Sequence, residues 1–162
     1  MRFCPDCGAP LEDREIEGRL RRYCPHCGRF HYEQLKVGAG ALIEREGRLL
    51  LLRRAHEPFH GCWNLPAGYV EVDEDPAQAA VREAYEEAGL AVAVDGLVGV
   101  HFFADDPRGN GILIVYRCHV TGGEAAASAE GVAPTFFARQ ELPEALAGGG
   151  HDQAVWAWSG HG

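Results

Sequence analysis

The chain has 162 residues, 46% of them apolar and 24% charged, the proportions of one ordinary globular domain with at most a small appendage. Fifteen Lys and Arg stand against 24 Asp and Glu, a net charge of −9, which argues against a nucleic-acid partner held through phosphate neutralisation. No apolar run reaches the roughly 18 residues of a membrane span. Met1-Arg2-Phe3-Cys4-Pro5 carries no apolar leader, so a cytoplasmic chain without membrane contact is expected.

The first segment is marked by two copies of one short pattern, Cys4-Pro5-Asp6-Cys7-Gly8 and Cys24-Pro25-His26-Cys27-Gly28, with sixteen residues between Cys7 and Cys24. Two thiolates three residues apart grip one tetrahedral ion only if the chain turns tightly between them. The proline presets a turn dihedral, and the glycine allows the backbone angles that aim amides at sulfur. Two disulfides are the alternative, but these are rare in a reducing compartment. A segment this short also needs a staple to fold. The expectation is a structural Zn²⁺ held by Cys4, Cys7, Cys24 and Cys27 in a ribbon over residues 1–35, followed by a main domain over 36–162. His26 and His31 are read as surface residues, and Arg19-Leu20-Arg21-Arg22-Tyr23 as solvated hairpin charge rather than a nucleic-acid footprint. Cys62 and Cys118 are read as small buried hydrophobes.

Beyond the ribbon, residues 37–44 and 48–53 predict two strands joined by a turn at Glu46-Gly47. Residues 63–70 predict an extended segment with a turn, and 76–88 a helix. Strands are predicted at 91–103, 112–120 and 134–138, with a loop over 121–133. Two short terminal helices are predicted over 141–146 and 152–158. Hairpins mixed with helices give an α+β class with a mixed-sheet sandwich.

The helix at 76–88 has complete end signals: Asp75 as N-cap, Pro76 at the first position, Gln78 for a capping box and Gly89 past the end. Ala77, Val81, Ala84 and Ala88 form its predicted buried stripe. Glu83, Glu86 and Glu87 fall on one face at spacings where like charges repel, near the helix end where the dipole disfavours them. A solvated acidic face is the plain alternative. Clustered carboxylates also suit a hard divalent cation, Mg²⁺ or Mn²⁺, bridging to phosphate.

The run Gly68, five residues, Glu74, seven residues, Arg82-Glu83-Ala84-Tyr85-Glu86-Glu87-Ala88-Gly89-Leu90 resembles the 23-residue Nudix box, and Trp63-Asn64-Leu65-Pro66-Ala67-Gly68 resembles its lead-in. Ala84 stands where the family usually has a larger aliphatic residue. The resemblance spans roughly residues 37–142 and implies a Nudix α/β/α sandwich with a mixed sheet. The ribbon before it is similar to that of zinc-ribbon Nudix enzymes, which include NADH pyrophosphatases and ADP-ribose/FAD pyrophosphatases. The Ser-Gln-Pro-Trp-Pro-Phe-Pro run of the NADH group is absent between Ala91 and Gly123, and Trp63 to Tyr69 resembles the second group.

The resemblance implies metal-dependent hydrolysis of the pyrophosphate bond of a nucleoside diphosphate derivative, with ADP-ribose or FAD first and NADH next. It places Mg²⁺ or Mn²⁺ on Glu83, Glu86, Glu87 and the Gly68 carbonyl, makes Glu87 or Glu86 the base, and pairs Arg82 with Glu74 as support. A base on a later loop would be Glu124 or Glu130; the family's acidic residue before the last strand is replaced by Ala133. Phe103 and Arg108 are candidates for substrate contact, with Glu130. Phe102 and Phe103 equally suit the end of a strand in the core, and Trp63, Trp156 and Trp158 are read as packing. A nucleoside triphosphate hydrolase and a non-catalytic nucleotide- or nucleic-acid-binding regulator are the competing readings. A homodimer is expected.

Overall fold

The computed structural model describes residues 1–160, which form two compact units, Met1–Gln34 and Leu35 onward. The first unit is a three-stranded antiparallel sheet in the order β1 (Glu12–Ile16), β2 (Arg19–Cys24), β3 (Arg29–His31). Glu17 and Gly18 both have positive φ (52° and 72°), the backbone of a two-residue hairpin turn that follows strand twist. Tyr23 and Phe30 pack with ring centroids 4.9 Å apart, and Arg14 lies over Tyr23. Yet only Cys4 and Cys24 are buried among this unit's residues. Two cysteines are no hydrophobic core, so the unit depends on what its sulfurs hold.

The second unit contains β4 (Lys36–Arg45), β5 (Arg48–Arg54), β6 (Trp63–Asn64), β7 (Ala67–Tyr69), α1 (Pro76–Ala88), β8 (Leu90–Phe103), β9 (Gly111–Gly123), β10 (Gly131–Ala138) and α2 (His151–Ser159). The main path of the sheet runs β10-β5-β4-β9-β8, with β4 and β9 parallel and the other pairs antiparallel. The β4–β5 hairpin is a fork. The two strands pair only at Glu44–Leu49 and Arg45–Arg48. Further along, β4 takes β7 as partner and β5 takes β6.

Alternation along the central strands makes two cores. Leu42, Leu49 and Leu51 point to one side with Leu113, Val115, Val155 and Trp158, the last two from α2. Ala41, Ile43, Leu50 and Leu52 point to the other, against Ala84 and Ala88 of α1. Leu42, Leu49, Leu50, Leu51 and Leu52 are fully buried, worth roughly 1.5–3 kcal/mol per side chain. The mixed sheet between α1 and α2 is the expected α/β/α sandwich. Among the described residues no helix is long and apolar enough to cross a membrane.

Several expectations are corrected. The loop predicted over 121–133 is shorter, because Gly122 and Gly123 continue β9 against Ala91 and Leu90 and β10 begins at Gly131. Residues with little strand propensity are held there by their partner. The helix predicted over 141–146 is absent. A single 3₁₀ turn, Arg139–Glu141, ends at Leu142 (φ −56°, ψ 136°), since Pro143 drives the residue before it out of the helical region. The chain then runs extended, with Leu146 bridged in parallel to Trp63. The buried face of α1 is Ala79, Ala80, Glu83, Ala84, Glu87 and Ala88, while Ala77 and Val81 are only half-buried. Trp158 packs in the core but Trp156 is 38% exposed, and Cys118 is buried where Cys62 is only partly so.

Candidate active site

In the ribbon the sulfurs of Cys4, Cys7, Cys24 and Cys27 all lie within 4.8 Å of one another, with Cys7 and Cys24 at 3.6 Å. A tetrahedron with ~2.3 Å Zn–S bonds needs edges of roughly 3.8 Å, so the set fits zinc. Gly8 and Gly28 adopt φ of 73° and 67°, and the Cys27 amide donates to the Cys24 sulfur at 3.3 Å. That amide, above all, brings Cys24 down to about 7, while the neighbouring Cys7 sulfur drives Cys27 up to about 12. Four such thiols ionise together only around a cation. His26 is exposed, as expected. His31 is not a plain surface residue: it is half-buried, with Nε2 3.4 Å from the Cys4 sulfur, where it can steady that ligand.

The second unit has a cleft of about 300 Å³ below the fork of β4 and β5. α1 supplies one wall. Its N-terminus is fixed as the capping signals require: Asp75 accepts from the Ala77 amide at 2.7 Å, and Gln78 accepts from the Asp75 amide at 3.1 Å. Gly89 ends it at φ 71°. This registers Glu83 and Glu87 into the cleft, both buried, while Glu86 is exposed and outside its lining. The Ala67 amide donates to Glu87 Oε2 at 2.9 Å. The Glu83 carboxylate occupies the space that a Cβ on Gly68 would fill, so only glycine fits there.

Arg82 organises the rest. Nε and Nη2 donate to the two oxygens of Glu74 at 3.1 and 2.6 Å, Nη2 also to the Tyr69 carbonyl at 3.0 Å, and Nη1 to Glu83 at 2.6 Å and Glu86 at 2.9 Å. All five N–H groups of the guanidinium are committed. Glu74 is held below the usual carboxylate range by that contact. Burial pushes Glu83 up in spite of Arg82, and burial pushes Glu87 up to about 8 against the pull of its amide donor, with the charges of Glu83 and Glu130 adding to it. Two buried carboxylates short of positive charge, beside a backbone that approaches them closely, fit a hard cation. The trio of glutamates is not preassembled as a cage. Among the described residues the groups with three ligand atoms within 4.8 Å are the four cysteines and Cys4–Asp6–His31.

Of the other sequence candidates, Phe103, Arg108 and Glu130 all line the cleft; Glu124 and Phe102 do not. Phe103 is 7% exposed and serves both the core and the cleft wall. Arg108 is clamped by buried Asp106, which accepts from its Nη2 at 2.7 Å, and its guanidinium stands over Tyr69. Trp63 packs edge-on against Phe137. Arg54 and His151 are among the cleft residues that sequence reasoning passed over. Arg54 lines the cleft and pulls Glu87 down by its charge, yet forms no ion pair among the described residues; its Nε donates to the Pro58 carbonyl. The signal was there in the alternation of β5, which puts Arg54 on the side of Leu50 and Leu52. His151, at the start of α2, had no comparable signal.

A family model described as NUDIX domain matches residues 34–157. The chain belongs to the Nudix family. A second model, described as Nudix N-terminal, matches residues 2–33 of this Nudix protein. An ADP-ribose pyrophosphatase from Methanocaldococcus jannaschii is 41% identical over 109 residues, 67% of this chain and 64% of that protein. An NAD-capped RNA hydrolase NudC from Stutzerimonas stutzeri is 32% identical over 123 residues, 76% of this chain and 42% of that one. The matches thus span less than two thirds of either relative. A NUDIX hydrolase structure from Nitrosomonas europaea superposes with a TM-score of 0.85 at 30% identity, covering 99% of this chain and 92% of that one.

Proposed function

We propose that the chain hydrolyses the pyrophosphate bond of a nucleoside diphosphate derivative with Mg²⁺ or Mn²⁺, with ADP-ribose or FAD first among substrates. The observation that carries this is the burial of Glu83 and Glu87 in one cleft wall, with Arg54, in no ion pair among the described residues, lining the same cleft. Glu83, Glu86, Glu87 and the Gly68 carbonyl would hold the ion. Bound there, it would offset phosphate charge and make water more acidic. Arg82 orients Glu83 and Glu86, and is itself oriented by Glu74. Arg54 meets the diphosphate oxygens. Glu87, which lines the cleft where Glu86 does not, takes the proton of the attacking water. The zinc ion in the ribbon is structural, and a reducing, cytoplasmic setting keeps its thiols available. A homodimer is the proposed assembly, to be read from sedimentation.

NADH is the second substrate reading, supported by the resemblance to NAD-capped RNA hydrolases. The test is turnover of ADP-ribose, FAD, NADH and nucleoside triphosphates with Mg²⁺, with products identified by mass. AMP plus ribose 5-phosphate from ADP-ribose is the expected result. Pyrophosphate released from a triphosphate, with the diphosphate derivatives untouched, would replace the reading.

A further inference from the structure

The diphosphate accounts for one part of the cleft; the nucleotide carries a base as well. Another part of the wall is apolar, made by Phe59, Phe103 and Leu113. It is completed by the turn Gly148-Gly149-Gly150, which delivers His151. The turn is held flat against its neighbours. The Gly149 amide donates to Asp105 at 3.1 Å, and a Cβ on Gly148 would strike the Asp105 carboxylate and come within 2.8 Å of the Phe59 ring. A Cβ on Gly150 would crowd Leu113 and His101 at 3.1 and 3.2 Å. Glycine is required here because the backbone itself is the wall.

His151 is 8% exposed; its Nδ1, like the Nε2 of neighbouring His101, is sealed from water without a partner among the described residues, whereas its own Nε2 is not sealed and is the nitrogen a ligand in the cleft can reach. The other buried titratable groups of the cleft, Glu83, Glu87 and Asp106, each accept a hydrogen bond. Nε2 makes no hydrogen bond among the described residues, so a ligand in the cleft can supply its partner. Burial, then the charge of Arg54 and neighbouring His101, bring its titration down to about 3. It is therefore neutral in use and no phosphate-binding cation. A neutral imidazole offers one donor and one acceptor. Beside an aromatic and aliphatic wall, the one function that Nε2 presents, donor or acceptor by tautomer, matches a polar site on the edge of a flat uncharged ring rather than a phosphate.

We propose that His151 is a specificity-determining residue of the cleft, hydrogen-bonding the edge of the substrate's heteroaromatic base, whose face lies against Phe59, Phe103 and Leu113. The inference rests on the pyrophosphatase reading and names the base subsite of that same cleft. The test compares wild type with His151→Ala, His151→Phe and His151→Gln. It reads KM and kcat for ADP-ribose and for a diphosphate carrying ribose but no base, Tm, and AMP binding to the metal-free protein by calorimetry. His151→Ala and His151→Phe should raise KM for ADP-ribose about fivefold to tenfold and weaken AMP binding equally, with kcat within about threefold. His151→Gln should restore much of the loss, and the base-free diphosphate should not respond. Equal KM increases for both substrates would place the contact on sugar or phosphate and overturn the proposal. A lowered Tm with unchanged KM and AMP affinity would reduce His151 to packing and overturn it too. If wild type cleaves none of the panel, the proposed activity falls; AMP binding that His151→Ala weakens would still uphold the subsite. A chain that neither cleaves nor binds these nucleotides would end both.

Discussion

Two arginines in the second unit play opposite parts. Arg82 has every N–H engaged by protein acceptors, so it fixes geometry. Arg54 donates from Nε to the Pro58 carbonyl and stands in the cleft lining with no ion pair among the described residues. Arg54→Ala should raise KM for the diphosphate substrate by about tenfold or more, as loss of a charge-assisted contact does, and leave Tm nearly unchanged. Glu86→Gln and Glu87→Gln should each lower kcat by at least ~100-fold with the fold intact, checked by steady-state kinetics and circular dichroism. In metal-free protein Glu87→Gln should not lower Tm, because burial already favours the neutral acid there and the amide oxygen can still accept from Ala67. His151 gives a pH dependence of definite sign. Its folded titration lies far below the unfolded value near 6.5, so below pH 6.5 the unfolded chain binds more protons than the native one. Its contribution is fully present above pH 6.5 and is lost as pH falls toward 3. The groups acting on it are Arg54 and His101, and Asp152 acts in turn on His101. Denaturant titrations across pH 4–7 should show a shallower acid loss in His151→Gln than in wild type.

At the scale of elements, α1 works because its buried face is made of small residues. Ala84 and Ala88 are fully buried against Ile43, Leu50 and Leu52. Ala84→Leu, toward the larger side chain usual in the family, should cost about 1–3 kcal/mol by overpacking, read as a lower denaturation midpoint. The helix was legible in the sequence to the residue because Asp75, Pro76, Gln78 and Gly89 are local devices that act on their own backbone. Its buried face was less so: alanines are weak markers of orientation, and two glutamates turned inward. The segment 141–146 was misread because its composition suits a helix, whereas Pro143 and the pairing with Trp63 decide it. The same division runs through the site. Glu83, Glu86, Glu87 and their support Arg82–Glu74 lie on or just before one helix, so spacing alone groups them. Arg54 and His151 come from elements 97 positions apart in the chain, and only the topology joins them.

For the whole molecule, the contrast is between a unit with two leucine-rich cores and one whose buried residues are two cysteines. Zinc analysis should return one ion per chain. Stripping it with a strong chelator should abolish the ordered ribbon, seen as lost amide protection over residues 1–34, while the second unit keeps its cooperative melting.

The tail beyond Leu142 is stitched to Trp63, whose amide donates to Ala145 and whose carbonyl accepts from Ala147. This seam sets an order of events during synthesis. The box glutamates leave the ribosome some sixty residues ahead of the triglycine turn. A nascent chain that has not yet reached Gly148 therefore owns its acidic groups and still lacks one wall of the cleft.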